Sequence, residues 1–281
     1  MVLVEKIREM QTRSTAQRRA GQRIVLVPTM GSLHEGHLSL VREGRKRGDY
    51  LVVSIFVNPA QFGPGEDYRT YPRNLERDRE LLEAERVDVL FCPSAEEMYP
   101  AGFQSYVEPG KLSSTLCGRS RPGHFRGVAT VVAKLFNQVR PHVAIFGAKD
   151  YQQLLILRRM VEDLNFDVEI VQHPIVREKD GLALSSRNNY LSPAEKQAAF
   201  SLSRALRTAE CLVGKGVTER ERIIGVVEGE IAKEPLARVD YISLCHSSTL
   251  EELNGVGSEA LLALAVWIGK TRLIDNTVLR P

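Results

Sequence analysis

Closely spaced cysteines are missing from this sequence. Its four cysteines, Cys92, Cys117, Cys211 and Cys245, are far apart and form no Cys-x-x-Cys pair. A zinc site or a disulfide framework needs paired or clustered cysteines, so we expect neither of them. This cysteine usage fits a reducing compartment, and we expect a cytoplasmic protein.

Long hydrophobic runs and a strong net charge are missing as well. The longest apolar run, Ala260–Ile268, is roughly half of the ~20 residues that a membrane helix needs, and it predicts a buried strand. Lysine and arginine number 38 against 35 acidic residues, which gives a formal net charge of +3. The most basic run, Arg42–Arg47, is typical of a solvated helix face. We therefore expect neither a membrane nor a nucleic acid as a partner.

The N-terminal segment also lacks the pattern of a targeting signal. Residues 1–23 contain several arginines, but Glu5 and Glu9 interrupt them and no apolar segment follows. We expect an amphipathic helix there.

The length of 281 residues lies at or above the size at which a single core stops growing, which favours two domains. We place them at 1–175 and 176–281. In the first, apolar runs of β-branched character alternate with helical stretches, and such alternation predicts a parallel sheet wrapped by helices, an α/β domain. The predicted strands are 24–28, 51–57, 87–91, 142–146 and 167–171, and the predicted helices are 35–47, 74–86, 127–139 and 150–165.

Beyond Pro174 the alternation stops. Two helical stretches, 193–213 and 218–233, lead to predicted strands at 238–245 and 260–268. This order predicts a smaller C-terminal α+β domain. In an open α/β sheet, ligands bind outside the carboxyl ends of the strands. In this sequence those ends carry Pro28–His37, Asn58–Gln61 and Gly147–Gln153.

The densest chemical signal is the segment Pro28–His37, which joins the first predicted strand to its helix. Gly31 and Gly36 allow close approach of a ligand to the backbone, and a helix N-terminus favours a phosphate. His34 and His37 could donate to phosphate oxygens. Two other interpretations exist: that the histidines only cap or pack, and that they bind zinc. Zinc is disfavoured because the spacing is not that of His-Glu-x-x-His and no third ligand is evident.

The segment Thr29–His37 resembles the His-x-Gly-His signature of the adenylate-forming nucleotidyltransferase superfamily. Its longer form is similar to the pantothenate synthetase family. Further similar blocks follow in order along the chain: Phe56–Gly63, Arg121–Gly127, Gly147–Gln153, Leu182–Asn188 and Thr271–Asn276.

The resemblance implies a Rossmann-like first domain and an ATP-dependent ligase that joins pantoate to β-alanine through a pantoyl-adenylate, releasing AMP and pyrophosphate. It also implies a homodimer. His37, His34 and Lys149 would be the catalytic residues, and Gln61 and Gln153 would bind pantoate, with β-alanine also at Gln61. The implied ATP site comprises Met30, Gly31, Ser32, Leu33, His34, Glu35, Gly36, His37, Gly147, Ala148, Lys149, Asp150, Val176, Leu184, Ser185, Ser186 and Arg187.

The chemistry of these side chains agrees with the implied roles. An uncharged amide can hydrogen-bond a hydroxyl and a carboxylate without neutralising the nucleophile. Lys149 and Arg187 supply cations for phosphate, and Asp78 and Asp150 could hold Mg²⁺ directly or through water. The resemblance also implies that His124 and Arg126 face the phosphates. Each charged residue taken alone would be interpreted as solvated surface.

Two positions depart from the family pattern. Ala148 stands where an acid is usual, and Arg77 precedes Asp78 where many members carry two acids. Two other classes of function remain open at this point: a non-enzymatic ATP sensor and a nucleotidyltransferase that stops at a nucleotide conjugate. Gln61 and Gln153 favour the ligase, because an ATP sensor does not need polar groups for an acid.

Overall fold

A computed structural model describes all residues, Met1–Pro281. The strands are β1 (Val2–Val4), β2 (Ile24–Thr29), β3 (Tyr50–Ile55), β4 (Val89–Phe91), β5 (Val143–Gly147), β6 (Glu169–His173), β7 (Ala237–Cys245), β8 (Ala260–Ile268) and β9 (Thr271–Leu279). The α-helices are α1 (Ile7–Arg19), α2 (Glu35–Arg47), α3 (Leu75–Ala84), α4 (Ala95–Met98), α5 (Cys117–Ser120), α6 (His124–Val139), α7 (Tyr151–Asp163), α8 (Pro193–Val213) and α9 (Arg220–Ile231). Short 3-10 turns lie at Pro59–Gln61, Lys111–Ser113, Ala148–Asp150 and Ser186–Tyr190. None of the helices is both long enough and apolar enough to cross a membrane.

The chain forms two compact units. The first contains residues 1–113, 121–148 and 153–174, and the second contains residues 175–281 together with the short segments 114–120 and 149–152.

The first unit is built on a six-stranded sheet with the order β1-β4-β3-β2-β5-β6, in which every neighbouring pair is parallel. Strands such as β2 are apolar on both faces because helices cover a parallel sheet on both sides. A core of fully buried side chains, including Val25, Val53 and Leu82, fills the space between sheet and helices. The prediction of a Rossmann-like α/β unit is confirmed.

The order of the strands reverses between β2 and β5, so their carboxyl ends define a crevice. The two strands pair only at Val25 and Leu26 and diverge beyond them. Pro28, which has no N–H to donate, therefore lies where β2 pairs with β3 alone. The turn that carries His34 and His37 starts at this divergence.

The second unit has an antiparallel sheet of order β7-β8-β9 packed with α8 and α9 around its own buried core, which confirms the α+β prediction. A two-residue turn at Gly269–Lys270 joins β8 to β9, and Gly269 has φ +55°. Helix α8 begins where Pro193 fixes the first turn and Ser192 and Glu195 cap it reciprocally.

Two strands were not predicted from the sequence. The N-terminal segment forms β1 before the helix, and its three residues pair with β4 at the sheet edge. Strand β9 is rich in polar residues and pairs with β8 along its whole length. Both depend on partners elsewhere in the chain, which local propensity does not reveal.

Candidate active site

The turn after β2 adopts a left-handed conformation that Asp78 holds in place. Gly31 has φ +79° and Ser32 has φ +50°, a conformation that is strained for a residue with a side chain. The Asp78 carboxylate accepts hydrogen bonds from the backbone N–H of Ser32 and of Leu33, both at 2.7 Å. Asp78 is 1% exposed. Burial raises its pKa above the ordinary value, and the two backbone hydrogen bonds oppose that rise.

The two histidines of this turn lie against each other at the start of α2. Their ring centroids are 4.0 Å apart, and the backbone N–H of His34 donates to Nδ1 of His37 in a long hydrogen bond of 3.4 Å. A ring nitrogen that accepts a hydrogen bond carries no hydrogen, so the neutral His37 ring has its hydrogen on Nε2. His34 and His37 thus take part in capping, and the donor atom of the neutral His37 ring is Nε2.

A buried amide, Asn58, organises the turn that follows β3. Its Oδ1 accepts from the backbone N–H of Ala60 at 3.2 Å and from the hydroxyl of Tyr99 at 2.8 Å. Its Nδ2 donates to the carbonyl oxygen of Gly127 at 3.0 Å and to Oε1 of Gln61 at 3.1 Å. The two backbone partners cannot exchange donor and acceptor roles, so they fix which end of the Asn58 amide carries the nitrogen.

The orientation of the Gln61 amide follows from Asn58. Since Nδ2 of Asn58 is a donor, the atom of Gln61 that faces it must be the carbonyl oxygen. Nε2 of Gln61 then lies on the other side, 3.2 Å from the sulfur of Met30. Gln61 can therefore offer N–H groups to an acceptor, such as a carboxylate oxygen of a ligand.

The start of α6 packs directly against the Gln61 turn. A Cβ atom on Gly127 would stand 2.2 Å from the carbonyl oxygen of Ala60, so only glycine permits this approach. His124 contacts the backbone of the same turn, because its Nδ1 lies 2.8 Å from the carbonyl oxygen of Gln61. Arg126 is exposed, stacks 3.8 Å from the ring centroid of Tyr106 and pairs with Glu108 at 3.3 Å.

The two residues expected to hold Mg²⁺, Asp78 and Asp150, differ in their surroundings. Both carboxylate oxygens of Asp78 are engaged by the backbone, and Asp150 is exposed in the second unit. No group of three or more His, Cys, Asp or Glu side chains is arranged to hold a metal ion. Neither residue lies in a cluster of protein ligands that would enclose a metal ion.

In the second unit, two neighbouring residues of β9 hold the predicted phosphate-binding segments. Nδ2 of Asn276 donates to the backbone carbonyl oxygen of Lys149 at 2.9 Å. The carboxylate of Asp275, which is 2% exposed, receives two hydrogen bonds from Arg177, at 2.6 and 2.9 Å. Arg177 also donates to the carbonyl oxygen of Gly181. The hairpin that begins with Val176 is thereby fixed to β9, and it leads to Arg187.

The remaining predicted ATP-site residues divide between the two units. Glu35 is exposed, and its carboxylate pairs with Arg42 at 2.7 Å. The side chain of Leu33 is buried in the core, so any ligand contact of Leu33 would come from its backbone. Gln153 is half-buried in the first turn of α7. The first unit contains Met30, Gly31, Ser32, Leu33, His34, Glu35, Gly36, His37, Gly147 and Ala148, and the second contains Lys149, Asp150, Val176, Leu184, Ser185, Ser186 and Arg187.

Sequence reasoning missed the residues that support the site. Asn58 and Arg121 lie within the similar blocks, but nothing in the sequence showed that they contact the Gln61 turn. Tyr99, Asp275 and Asn276 were not assigned a role either. Their partners lie tens of residues away, and only the blocks themselves could have drawn attention to Asn58, Arg121, Asp275 and Asn276.

Comparison with known proteins identifies the family. The family described as pantoate-beta-alanine ligase matches residues 2–278. The chain belongs to the pantoate–β-alanine ligase family. The pantothenate synthetase of Syntrophus aciditrophicus is 55% identical over 278 residues, 99% of this chain and 97% of that protein. That of Thermotoga petrophila is also 55% identical, over 99% of this chain and 100% of that protein.

Solved structures of pantoate–β-alanine ligases share the fold. The crystal structure of pantothenate synthetase from Thermus thermophilus has a TM-score of 0.95 and 48% identity, and each chain covers 100% of the other. The ligase from Francisella tularensis, complexed with beta-gamma ATP and β-alanine, has a TM-score of 0.83 and 35% identity, covering 99% of this chain and 97% of that one. The prediction that the chain is an enzyme of this ligase family is confirmed.

Proposed function

We propose that the chain condenses pantoate with β-alanine at the expense of ATP, forming pantothenate, AMP and pyrophosphate through a pantoyl-adenylate. The observation that carries this proposal is the family match over residues 2–278, which spans both units. The paired histidines at the start of α2, His34 and His37, agree with it, since they lie at the crevice where an open α/β sheet binds ligands.

The reaction proceeds in two steps that conserve every atom. A carboxylate oxygen of pantoate bonds to the α-phosphorus of ATP while the bond from that phosphorus to the bridging oxygen of pyrophosphate breaks. The amine of β-alanine then attacks the acyl carbon of the adenylate. The bond between that carbon and the bridging oxygen breaks, AMP leaves with the oxygen, and the amine loses a proton to solvent.

The protein contributes position and charge rather than covalent chemistry. Negative charge develops on the phosphate oxygens as pyrophosphate leaves. Nε2 of His37, the Lys149 ammonium group and the N-terminal backbone of α2 would stabilise that charge, with His37 as proton donor. His34 would hold His37 through its backbone hydrogen bond. The other residues of the implied ATP site would bind the nucleotide.

The two glutamines would bind the acid substrate. Gln61 has its carbonyl oxygen committed to Asn58, so it would donate N–H groups to a pantoate oxygen and later to β-alanine. Gln153 would hold pantoate from the start of α7. Neither side chain carries a charge, so neither would neutralise the attacking carboxylate.

The proposal extends to Mg²⁺ and to a homodimer, which rest on family resemblance, and to a cytoplasmic location, which rests on the cysteine usage. Mg²⁺ commonly keeps several waters and binds mainly through substrate phosphates. This mode requires few protein ligands, which agrees with the engagement of Asp78 by the backbone.

A label-transfer experiment tests the proposal. We expect the purified protein to release AMP from ATP only when pantoate and β-alanine are both present. With heavy oxygen in the pantoate carboxylate, one labelled atom should appear in AMP and the other should remain in the amide. Attack at the γ-phosphorus would instead put the label in phosphate and release ADP, and a nucleotide sensor would transfer none. Unlabelled AMP in the mass spectrum would exclude the adenylate even if pantothenate were formed.

A further inference from the structure

A charged network contacts the backbone of the Gln61 turn. The Arg121 guanidinium donates to both oxygens of Glu66, from Nε at 2.6 Å and from Nη2 at 2.7 Å. Nη2 also donates to the backbone carbonyl oxygen of Gln61 at 3.3 Å, and Nη1 lies 3.1 Å from Nε2 of His124. The Arg121 and Glu66 side chains are 15% and 26% exposed. This geometry is bidentate and largely shielded, unlike an ordinary surface ion pair.

The partners of His124 fix its hydrogen position. The Gln61 carbonyl oxygen can only accept, so Nδ1 of His124, at 2.8 Å, must carry a hydrogen. Arg121 can only donate, so Nε2 of His124 must offer a lone pair. The ring is therefore neutral, and both of its nitrogens bind within the protein.

Glu66 keeps the arginine in place. Burial alone would raise the pKa of Glu66, but the hydrogen bonds and charge of Arg121, together with the backbone N–H of Gly63, outweigh burial and lower it. Glu66 also accepts from the backbone N–H of Gly63 at 3.1 Å. The ionised carboxylate thus joins Arg121 to the chain just beyond Gln61.

We infer that Arg121, Glu66 and His124 are positioning residues that place Gln61 for the acid substrate. The Asn58 amide holds the side chain of Gln61, while His124 and Arg121 hold its backbone carbonyl oxygen. Loss of either set of hydrogen bonds lets the turn move and shifts the Gln61 amide away from its ligand. In this role the three residues act on the substrate through Gln61. Both ring nitrogens of His124 bind within the protein, so we infer this role for His124 in place of the expected phosphate-facing one. The inference rests on the proposed function.

Kinetics with each substrate varied separately tests the inference. His124→Ala and Arg121→Ala should raise the KM for pantoate at least about tenfold, which corresponds to about 1.4 kcal/mol. The KM for ATP should stay within about twofold. His124→Asn keeps a donor near the position of Nδ1 and should restore much of the pantoate KM, whereas His124→Gln mimics Nε2 and should not.

Arg119→Ala is the matched control, because Arg119 is an exposed arginine two residues from Arg121. It should leave both KM values unchanged. Equal rises in the KM for ATP and for pantoate, or a loss of kcat at unchanged KM values, would overturn the inference and return His124 to the phosphates. So would equal behaviour of His124→Asn and His124→Gln.

Amide hydrogen exchange separates this inference from the proposed function. The backbone N–H groups of Gln61 and Phe62 close the turn through bonds to Asn58 and Pro59. Their exchange should become at least about tenfold faster in His124→Ala and Arg121→Ala than in Arg119→Ala, which a loss of about 1.4 kcal/mol predicts. Unchanged exchange would overturn the positioning role whether or not the protein makes pantothenate. Failure of the native protein to release AMP would overturn the proposed function alone.

Discussion

At the scale of single residues, the prediction for His37 is the most specific. Its Nδ1 accepts from the His34 backbone, so only Nε2 can donate to a phosphate oxygen. Loss of a general acid or an oxyanion donor costs on the order of 10²–10⁴ in rate. We therefore expect His37→Ala to slow AMP formation by at least about 10²-fold.

Two further substitutions distinguish the nitrogens of His37. His37→Gln places an amide nitrogen near Nε2 and should retain more activity than His37→Asn, which reaches only the position of Nδ1. His246→Ala, at an exposed histidine of the second unit, is the control and should be as active as the native protein. Pyrophosphate release by folded His37→Ala at nearly the native rate would remove His37 from the mechanism.

We predict that substitution of Asp78 lowers the free energy of unfolding. Its two carboxylate oxygens satisfy the N–H groups of Ser32 and Leu33. In Asp78→Asn the new NH₂ group faces one of those donors, and an unsatisfied buried group costs about 1–3 kcal/mol. Hydrogen exchange of the slowest amides in β2 and β3 measures this change. Glu76→Gln, at an exposed position on the same helix, should change stability by less than about 0.5 kcal/mol.

We also predict that the free energy of unfolding depends on pH through the Asp78 carboxyl group. Burial raises the pKa of Asp78 above its ordinary value of 3.8. A raised pKa in the folded state means that this group stabilises most below pH 3.8. That contribution is then lost as the pH rises through the folded pKa. The stability difference between the native protein and Asp78→Asn, which does not titrate, should shrink as the pH rises from about 4. A difference that grows with pH would contradict this sign.

At the scale of elements, the close packing of α6 against the Gln61 turn can be tested at Gly127. A Cβ there would overlap the Ala60 carbonyl oxygen, so helix and turn must separate. We expect Gly127→Ala to destabilise the first unit by about 1–3 kcal/mol, as overpacking commonly does, and to raise the KM for pantoate. Gly225→Ala in α9, where a Cβ has open space, should instead stabilise by about 0.5–1 kcal/mol.

The elements also show which parts of the fold the sequence predicts. Helices α2 and α8 and strand β8 have the predicted bounds. Their signals are local in the sequence: turn glycines for α2, Pro193 for α8 and an apolar run for β8. Strands β1 and β9 were missed, since pairing with distant strands stabilises them.

The residues of the candidate site show the same difference between local signals and long-range contacts. The His34 and His37 turn is local and was predicted, whereas Asn58 contacts Gly127 across 69 positions and Asp78 contacts Ser32 across 46. Contacts at such separations arise only when the sheet assembles. The supporting residues of the site therefore could not be identified from local patterns.

At the scale of the whole molecule, the two units have separate hydrophobic cores, and no residue belongs to both. Leu82 belongs to the first core and Leu264 to the second, and each is fully buried. Truncation of a buried leucine to alanine costs about 2–5 kcal/mol because a cavity remains. Each truncation should therefore weaken its own unit.

The single tryptophan allows this expectation to be tested. Trp267 lies in β8, so its fluorescence reports on the second unit. Leu264→Ala should lower the urea midpoint of the Trp267 transition, while Leu82→Ala should leave that midpoint unchanged and accelerate hydrogen exchange in β2 and β3. If both substitutions shifted both signals equally, the chain would unfold as one cooperative body. Separate transitions would mean that the effect of substitutions near His37 and Gln61 on the stability of the first unit can be measured on its own.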